Sequence, residues 1–337
     1  MTDDARTKVI ERHKVWLNIC VRLERASPIK FLSIVVHRLR RFIGKRRVSN
    51  HDHGFPAWTC AVPENAFDRV FALVKPDIVI VNSVERPAWR SIRRSCSQRD
   101  VPTVLYVREA SGVRHLVDPP SPGDLILANA EAHADAVRAV GFECHVVPSV
   151  IETTHCIVST DRTQIVMVNP IALYGIELAL SIAKELGDLP FTFVESWPLS
   201  VRERASLELR CAALGNAQLL PFQRDPSRVY AHAKILLMLC TVPSRPRVVL
   251  EAQANGIPVL AVNRPGHDEA VGDGGILLGP DASIATWVQT LSSMWNDKAQ
   301  YESLSAAALH HAVRHDATPE AVADKFEDLV ARLVGVR

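Results

Sequence analysis

Short apolar runs that alternate with helical stretches constrain this chain more than any other feature. In the first half the runs are Asp77–Val81 (DIVIV), Thr103–Val107 (TVLYV), Asp124–Ala128 (DLILA) and Cys144–Val147, with a further short strand expected at Ala57–Val62. Helical spacing falls between them at Glu64–Val74, Trp89–Gln98 and Ala130–Val140. Runs of four to six β-branched and aliphatic residues, bounded by Pro, Gly and Asp, are the mark of strands buried on both faces, as in a parallel sheet covered by helices.

The alternation then restarts. Strands are expected at Gln164–Val168 (QIVMV), Phe191–Val194, Ala217–Leu220, Lys234–Leu239, Pro258–Val262 and Gly275–Leu278. Helices are expected at Ile176–Leu186, Ser200–Leu214, Pro226–His232 and Arg247–Asn255, and the last 55 residues read as helical. Two β/α sets joined near Val150–Arg162 predict an α/β fold of two Rossmann-like domains whose parallel sheets face a cleft. Ligands of such sheets sit outside the carboxyl ends of the strands, which singles out the loops after residues 107, 168, 194, 239 and 262. The expected division is a basic helical segment over 1–50, an abbreviated N-terminal domain over 51–158, a C-terminal domain over 159–300, and helices over 301–337 that pack back toward the N-terminal domain.

Composition narrows the class. With 47% hydrophobic and 23% charged residues among 337, the chain can bury sizeable cores, and disorder or fibrous repeats are excluded. The longest stretch without a charged residue, Ala282–Asn296, is 15 residues long and too polar to cross a bilayer. No apolar signal core follows the N-terminal MTDDARTKVIERHK, so a cytoplasmic protein is expected. The seven cysteines are scattered, without a CxxC pair, and read as buried thiols in a reducing compartment.

Charge is unevenly placed. Residues 1–47 hold 13 Lys and Arg against 4 Asp and Glu, whereas the remainder is acidic, with 26 against 33. Within that segment, apolar residues at 31, 32, 35, 36, 39, 42 and 43 share one helical face, and Arg38, Arg40, Arg41, Lys45, Arg46 and Arg47 lie on the other face or at the end. Such a helix either rests on an anionic membrane surface or packs its apolar face on the first domain. Nucleic-acid binding fits poorly, because the basic arm lacks interleaved aromatics and the rest of the chain is acidic.

The segment Pro243–Pro280 concentrates the candidate chemistry. Glu251 lies in the first turns of a helix that ends at the C-cap pair Asn255-Gly256. Its carboxylate either accepts two hydrogen bonds from vicinal hydroxyls, such as those of a ribose, or neutralises its own helix end. A Gly/Pro loop follows the next strand and holds Arg264, Gly266, His267 and Glu269. Loops that lead into helices expose free N–H groups suited to anions. His51-Asp52-His53 reads as a solvated loop rather than a metal site, Gly272–Gly275 as a tight turn, and His310, His311 and His315 as surface or packing residues.

The stretch RVVLEAQANGIPVLA…EAVGDGGILL resembles the donor-binding region of glycosyltransferase family 4, retaining enzymes of the GT-B fold. RDPSRVYAHAKILL and IVMVNPIALYGIELALSIAKEL are similar to the same family, as are, more loosely, VKPDIVIVN, VPTVLYVREASGVRHL and ILANAEAHADAVRAVGF. The resemblance spans roughly residues 55–300, is strongest over 226–280, and does not extend to residues 1–50.

It implies a metal-independent transfer of a sugar from a nucleotide-sugar, a UDP- or GDP-sugar, to a glycan, lipid-linked or small-molecule acceptor, with no resident cofactor. In the family a Glu-x7-Glu motif carries the ribose contact on its second Glu, which Glu251 matches; the first falls on Pro243. The Arg and Lys that clamp the donor diphosphate after the first strand of the domain fall in Asn169-Pro170…Tyr174-Gly175. The His of the loop after TVLYV is replaced by Arg108-Glu109. Arg108 and Glu109 are therefore the candidate catalytic pair. Glu251, Arg247, Arg245, Asn169, Tyr174, Gly175, Gly266, His267 and Glu269 form the candidate donor site, with Arg264 as a further cation. The departures also imply an alternative, a catalytically reduced homologue that acts as a scaffold or partner subunit.

Overall fold

The computed structural model describes residues 49–52, 56–59, 63–82, 86–108, 113, 116, 124–314, 316 and 318–335. The basic segment over 29–47, with the membrane contact expected of it, lies outside the described residues, as do Gly54, Glu109 and His315. The chain forms two compact units, Met1–Val79 with Glu85–Val101, and Ile80–Val84 with Pro102–Arg337.

The first unit opens with β1 (Ser49–Asp52) and β2 (Pro56–Thr59), an antiparallel pair in which Ser49 faces Thr59 and Asp52 faces Pro56. This corrects the strand expected at 57–62 as a member of a parallel sheet. Its partner lies three residues upstream, so the pairing is a local hairpin. Helices α1 (Pro63–Val74) and α2 (Arg86–Ser97) pack on each other. Arg99 lies over the Phe71 ring at 5.1 Å while its Nη2 reaches Asp68 at 3.1 Å.

The second unit contains two sheets. The smaller has the strand order β3 (Val79–Val81), β4 (Thr103–Val107), β5 (Asp124–Ala128), β6 (His145–Val146), and β4–β5 and β5–β6 pair in parallel. Helix α3 (Glu131–Arg138) connects β5 to β6. Residues 147–163 lead into the larger sheet, which consists of β7 (Gln164–Val168), β8 (Phe191–Val194), β9 (Ala217–Leu220), β10 (Ala233–Met238), β11 (Val259–Val262) and β12 (Gly275–Leu278). Every pair in it is parallel, and its order is β12-β11-β10-β7-β8-β9. Counted from β7 this is the 3-2-1-4-5-6 order of a dinucleotide-binding Rossmann sheet, whose switch point lies between its first and fourth strands. Here those are β7 and β10.

The pleat sends alternate residues to opposite faces. On one face Ile165, Met167, Phe191, Phe193, Ile235 and Leu237 pack with α4 (Ile176–Glu185), α5 (Val201–Leu214) and α9 (Ile284–Asn296). On the other, Val166, Val194, Leu236 and Met238 pack against Tyr230 of the short helix α6 (Ser227–Tyr230), against α7 (Arg247–Gln253) and against α8 (His267–Val271). Near-continuous apolar runs follow directly from this double covering. Helix α10 (Lys298–Ala312) packs on α7 and on the 3-10 turn Gly272–Gly274, and α11 (Pro319–Val334) ends the chain's described part. A Cβ on Gly274 would stand 2.6 Å from Ala308 Cα, so the Gly-rich run is a turn pressed against a helix.

Candidate active site

The loops after β7 and β10 flank the switch point and are tied together. Gly175 caps α4 with a left-handed φ of +80°, and a Cβ there would lie 2.7 Å from both Cβ and the carbonyl oxygen of Leu239, just past β10. Thr241 donates from its backbone N and its Oγ1 to Leu173 O, each at 3.1 Å. On the other flank Gly266, with φ +88°, leaves only 2.6 Å between its absent Cβ and Ser244 O, and Ser244 N donates to Pro265 O at 3.1 Å. Three strand ends thus converge on residues 239–246.

Glu251 is the fifth residue of α7, beyond the first turn, so it does not neutralise its own helix end. Its carboxylate, 19% exposed, accepts a 2.7 Å hydrogen bond from Tyr230 Oη at Oε2, and Arg247 Nη2 lies 3.9 Å from Oε1. Burial, and then the Glu251 carboxylate itself, push the Tyr230 hydroxyl well above the usual phenol range, so it remains a donor. A carboxylate offers about four acceptor positions. One is taken by Tyr230 at Oε2, and Arg247 lies beside Oε1. The helix ends as expected at Asn255-Gly256: Gly256 has φ +63°, and Ile257 N donates to Ala252 O at 3.1 Å. Asn255 adds a tie, accepting from Val158 N and donating to Cys156 O and Glu251 O.

Other candidates serve the fold. Asn169 is buried with φ +61°, and its Oδ1 accepts a 2.7 Å hydrogen bond from Trp197 N, so its side chain holds the loop after β8. Tyr174 meets the Trp197 ring edge-on at 5.4 Å. His267 is fully buried, with Nδ1 2.7 Å from Val262 O and Nε2 3.2 Å from Ser244 Oγ. Burial holds its imidazole below the usual histidine range, so the neutral ring bridges β11 to the 243–246 loop. Glu269 accepts from Glu131 N at 2.9 Å and Ala132 N at 3.0 Å, the first two residues of α3. It caps that helix across 137 residues of sequence, with the charge that an N-terminus favours. In this structure packing holds His267 and a backbone clasp holds Glu269.

The arginines gather elsewhere. A shallow, solvent-open pocket is lined by Asn129, Ser149, Arg245, Arg247, Leu250 and Arg314, among others. It joins the ends of β5 and β6 to the start of α7 and to the chain just after α10. Arg108 is exposed at the end of β4, and its charge and that of Arg245 both act on the Tyr106 hydroxyl, which donates to Val147 O at 2.8 Å. Arg264 is half-buried, with Nε unpartnered among the described residues. Tyr230, Ser149, Asn129 and Arg314 were not singled out from sequence. Tyr230 and Asn129 had a local signal, their places in the similar stretches RDPSRVYAHAKILL and ILANAEAHADAVRAVGF.

Residues 160–311 match the family model of group 1 glycosyl transferases. No curated protein matches the chain. Among solved structures, HepE of Anabaena in complex with UDP-glucose superposes with a TM-score of 0.62 at 15% identity, covering 75% of this chain and 78% of HepE. Sucrose-phosphate synthase of Thermosynechococcus elongatus gives 0.66 at 15% identity, with 86% of each chain covered. The pneumococcal O-GlcNAc transferase GtfA, in complex with UDP and GlcNAc, gives 0.63 at 13% identity over 86% of this chain and 63% of its own. These likenesses establish the GT-B fold, and together with the group 1 match over 160–311 they indicate a glycosyltransferase.

Proposed function

We propose that this glycosyltransferase retains anomeric configuration and, without a metal ion, moves a sugar from a UDP- or GDP-sugar to a glycan, lipid-linked or small-molecule acceptor. The observation that carries the reading is the half-buried Glu251 carboxylate, held by Tyr230 at Oε2 with only the Arg247 guanidinium, among the described residues, near its Oε1. Two vicinal ribose hydroxyls suit that carboxylate as donors. HepE and GtfA were each solved with UDP or a UDP-sugar, which supports a uridine nucleotide as the first candidate.

In a retaining transfer on one face of the sugar, the leaving diphosphate takes the acceptor's proton. The protein's part is then to place both substrates and to stabilise the charge that develops, a contribution of roughly 3–4 kcal/mol per well-placed donor. Arg247 at the start of α7 and Arg108 at the end of β4 are the cations we assign to it. The five described cysteines are buried free thiols, in keeping with a reducing cytoplasm. No helix among the described residues is long and apolar enough to cross a membrane. Peripheral association through residues 29–47 is read from their amphipathic spacing. Flotation with anionic vesicles tests it: a chain starting near residue 50 loses flotation, whereas equal flotation of the two contradicts it.

Incubation with UDP- and GDP-sugars, with and without EDTA, tests the activity by nucleotide release and by NMR of the first anomer formed. Release insensitive to EDTA and an unchanged anomer are expected. An inverted anomer contradicts retention, and loss with EDTA contradicts metal independence. One observation favours a second reading, a reduced homologue serving as a scaffold. Asn169, where the family has a cation, already spends its amide oxygen on Trp197 N, and Pro243 stands where the first Glu would be. Failure to bind any nucleotide would select that reading.

A further inference from the structure

Among the described residues, three arginines line the pocket at the ends of β5 and β6, and the carboxylates near them are Glu251, Asp316 and Glu269. Arg314 donates from Nη1 to His311 O at 2.6 Å and lies 3.2 Å from Asp316. Among the described residues Arg247 has only the Glu251 oxygen at 3.9 Å. Arg245 is half-buried and has no hydrogen bond or ion pair among the described residues. The nearest acidic group on α8, Glu269, is committed to two backbone N–H groups of α3. A desolvated guanidinium without a counter-ion is costly, and a second one beside it raises the cost. Burial, and next the Arg314 charge, draw the Arg245 guanidinium below its usual range, while Glu269, Asp316 and Tyr106 act weakly against this.

We propose that this pocket is a phosphate site, in which a phosphoryl group is held by Arg245, Arg247 and Arg314 with the Ser149 hydroxyl and the Asn129 region as neutral walls. Guanidinium groups offer paired donors that match phosphoryl oxygens, and three around one pocket suit a dianion better than a carboxylate. The site is not the family's clamp after β7, since no residue of the Asn169–Gly175 loop lines it. The phosphoryl group comes either from the donor diphosphate, in which case the source rests on the function proposed above, or from a separate phosphate. The recognition chemistry is the same for both.

Inorganic phosphate is the probe, titrated at constant ionic strength into the full chain and into Arg245→Gln, Arg314→Gln and, as a control, Arg210→Gln. Arg210 pairs with Glu177 far along α5 and touches no pocket residue. Phosphate is expected to raise the Tm of the wild type and to bind at least tenfold more weakly to each pocket variant, with Arg210→Gln unchanged. Without phosphate, Arg245→Gln is expected to melt no lower than the wild type, because it removes an unpaired charge; in saturating phosphate the order reverses. A second titration includes UDP. Competition with phosphate assigns the phosphoryl group to the donor, and simultaneous binding assigns it to a separate phosphate. No heat and no Tm shift with millimolar phosphate overturns the proposal, as does equal affinity in the wild type and both pocket variants. If UDP binds while phosphate does not, only the phosphate site falls; if phosphate binds while no nucleotide does, only the donor reading falls.

Discussion

The loops after β7 and β10 stand side by side at the switch point of one sheet, yet they have been put to different uses. The β7 loop keeps its backbone geometry and carries no cation. Asn169 and Gly175 sit at left-handed φ, one clasping Trp197 N and the other lying flat against Leu239. The β10 loop leads to the Glu251 carboxylate and holds two arginines, one of them without a hydrogen bond or ion pair among the described residues. Backbone shape and binding charge are therefore separable in this fold. Gly175 serves the close approach of two loops, a role set by the scaffold rather than by charge.

The sharpest way to break that comparison is Gly175→Ala. A Cβ 2.7 Å from a backbone oxygen, at φ +80°, is expected to cost about 2–4 kcal/mol in urea unfolding. Gly187→Ala, which meets nothing within 4 Å, is the neutral control. Equal midpoints for the two would remove the scaffold role from the β7 loop. Asn169→Ala comes next, at about 2 kcal/mol, since it leaves Trp197 N unpaired and sets alanine at a left-handed φ. A loss in stability with unchanged nucleotide affinity would sharpen the contrast, and a loss in affinity at full stability would erase it.

On the β10 side, burial holds the imidazoles of His267 and His311 below the usual histidine range. The unfolded chain then binds protons more readily than the folded one near pH 6. Their stabilising effect is complete above about 6.5 and is lost as pH falls toward their lower folded values. Denaturant midpoints between pH 7.5 and 5 are expected to fall, and to fall less in His311→Gln. A slope unchanged by that variant would contradict it. The smallest effect is at Glu177, an exposed partner of Arg210 whose carboxyl is held low by that guanidinium. Glu177→Gln is expected to cost at most about 0.5 kcal/mol at pH 7 and nothing below the usual carboxylate range.

Much of the fold was legible in the sequence because burial on both faces writes a strand as a continuous apolar run. Thr103–Val107, Asp124–Ala128, Gln164–Val168, Phe191–Val194, Ala217–Leu220 and Gly275–Leu278 are strands with the bounds their composition suggests. The hairpin at 49–59 was not, because SNHD is polar throughout and the four-residue PAWT shows no clear alternation. Glu251 was picked out by a local pattern, and the structure adds its Tyr230 partner. The uses of Glu269, His267 and Asn169 were not legible, since each depends on one hydrogen bond to a backbone atom elsewhere in the fold. Arg314 reaches the pocket from beyond α10, and nothing periodic in the sequence links it to Arg245.

Calorimetric titration of UDP and GDP into the wild type and Glu251→Ala, with Tyr230→Phe as a companion, tests the donor site most directly. Charged hydrogen bonds to two hydroxyls are worth about 1.5–3 kcal/mol each, so the account predicts micromolar binding of one nucleotide, weakened at least tenfold in Glu251→Ala and much less in Tyr230→Phe. Equal affinity in the wild type and Glu251→Ala, or no binding of either nucleotide to the wild type, would contradict it.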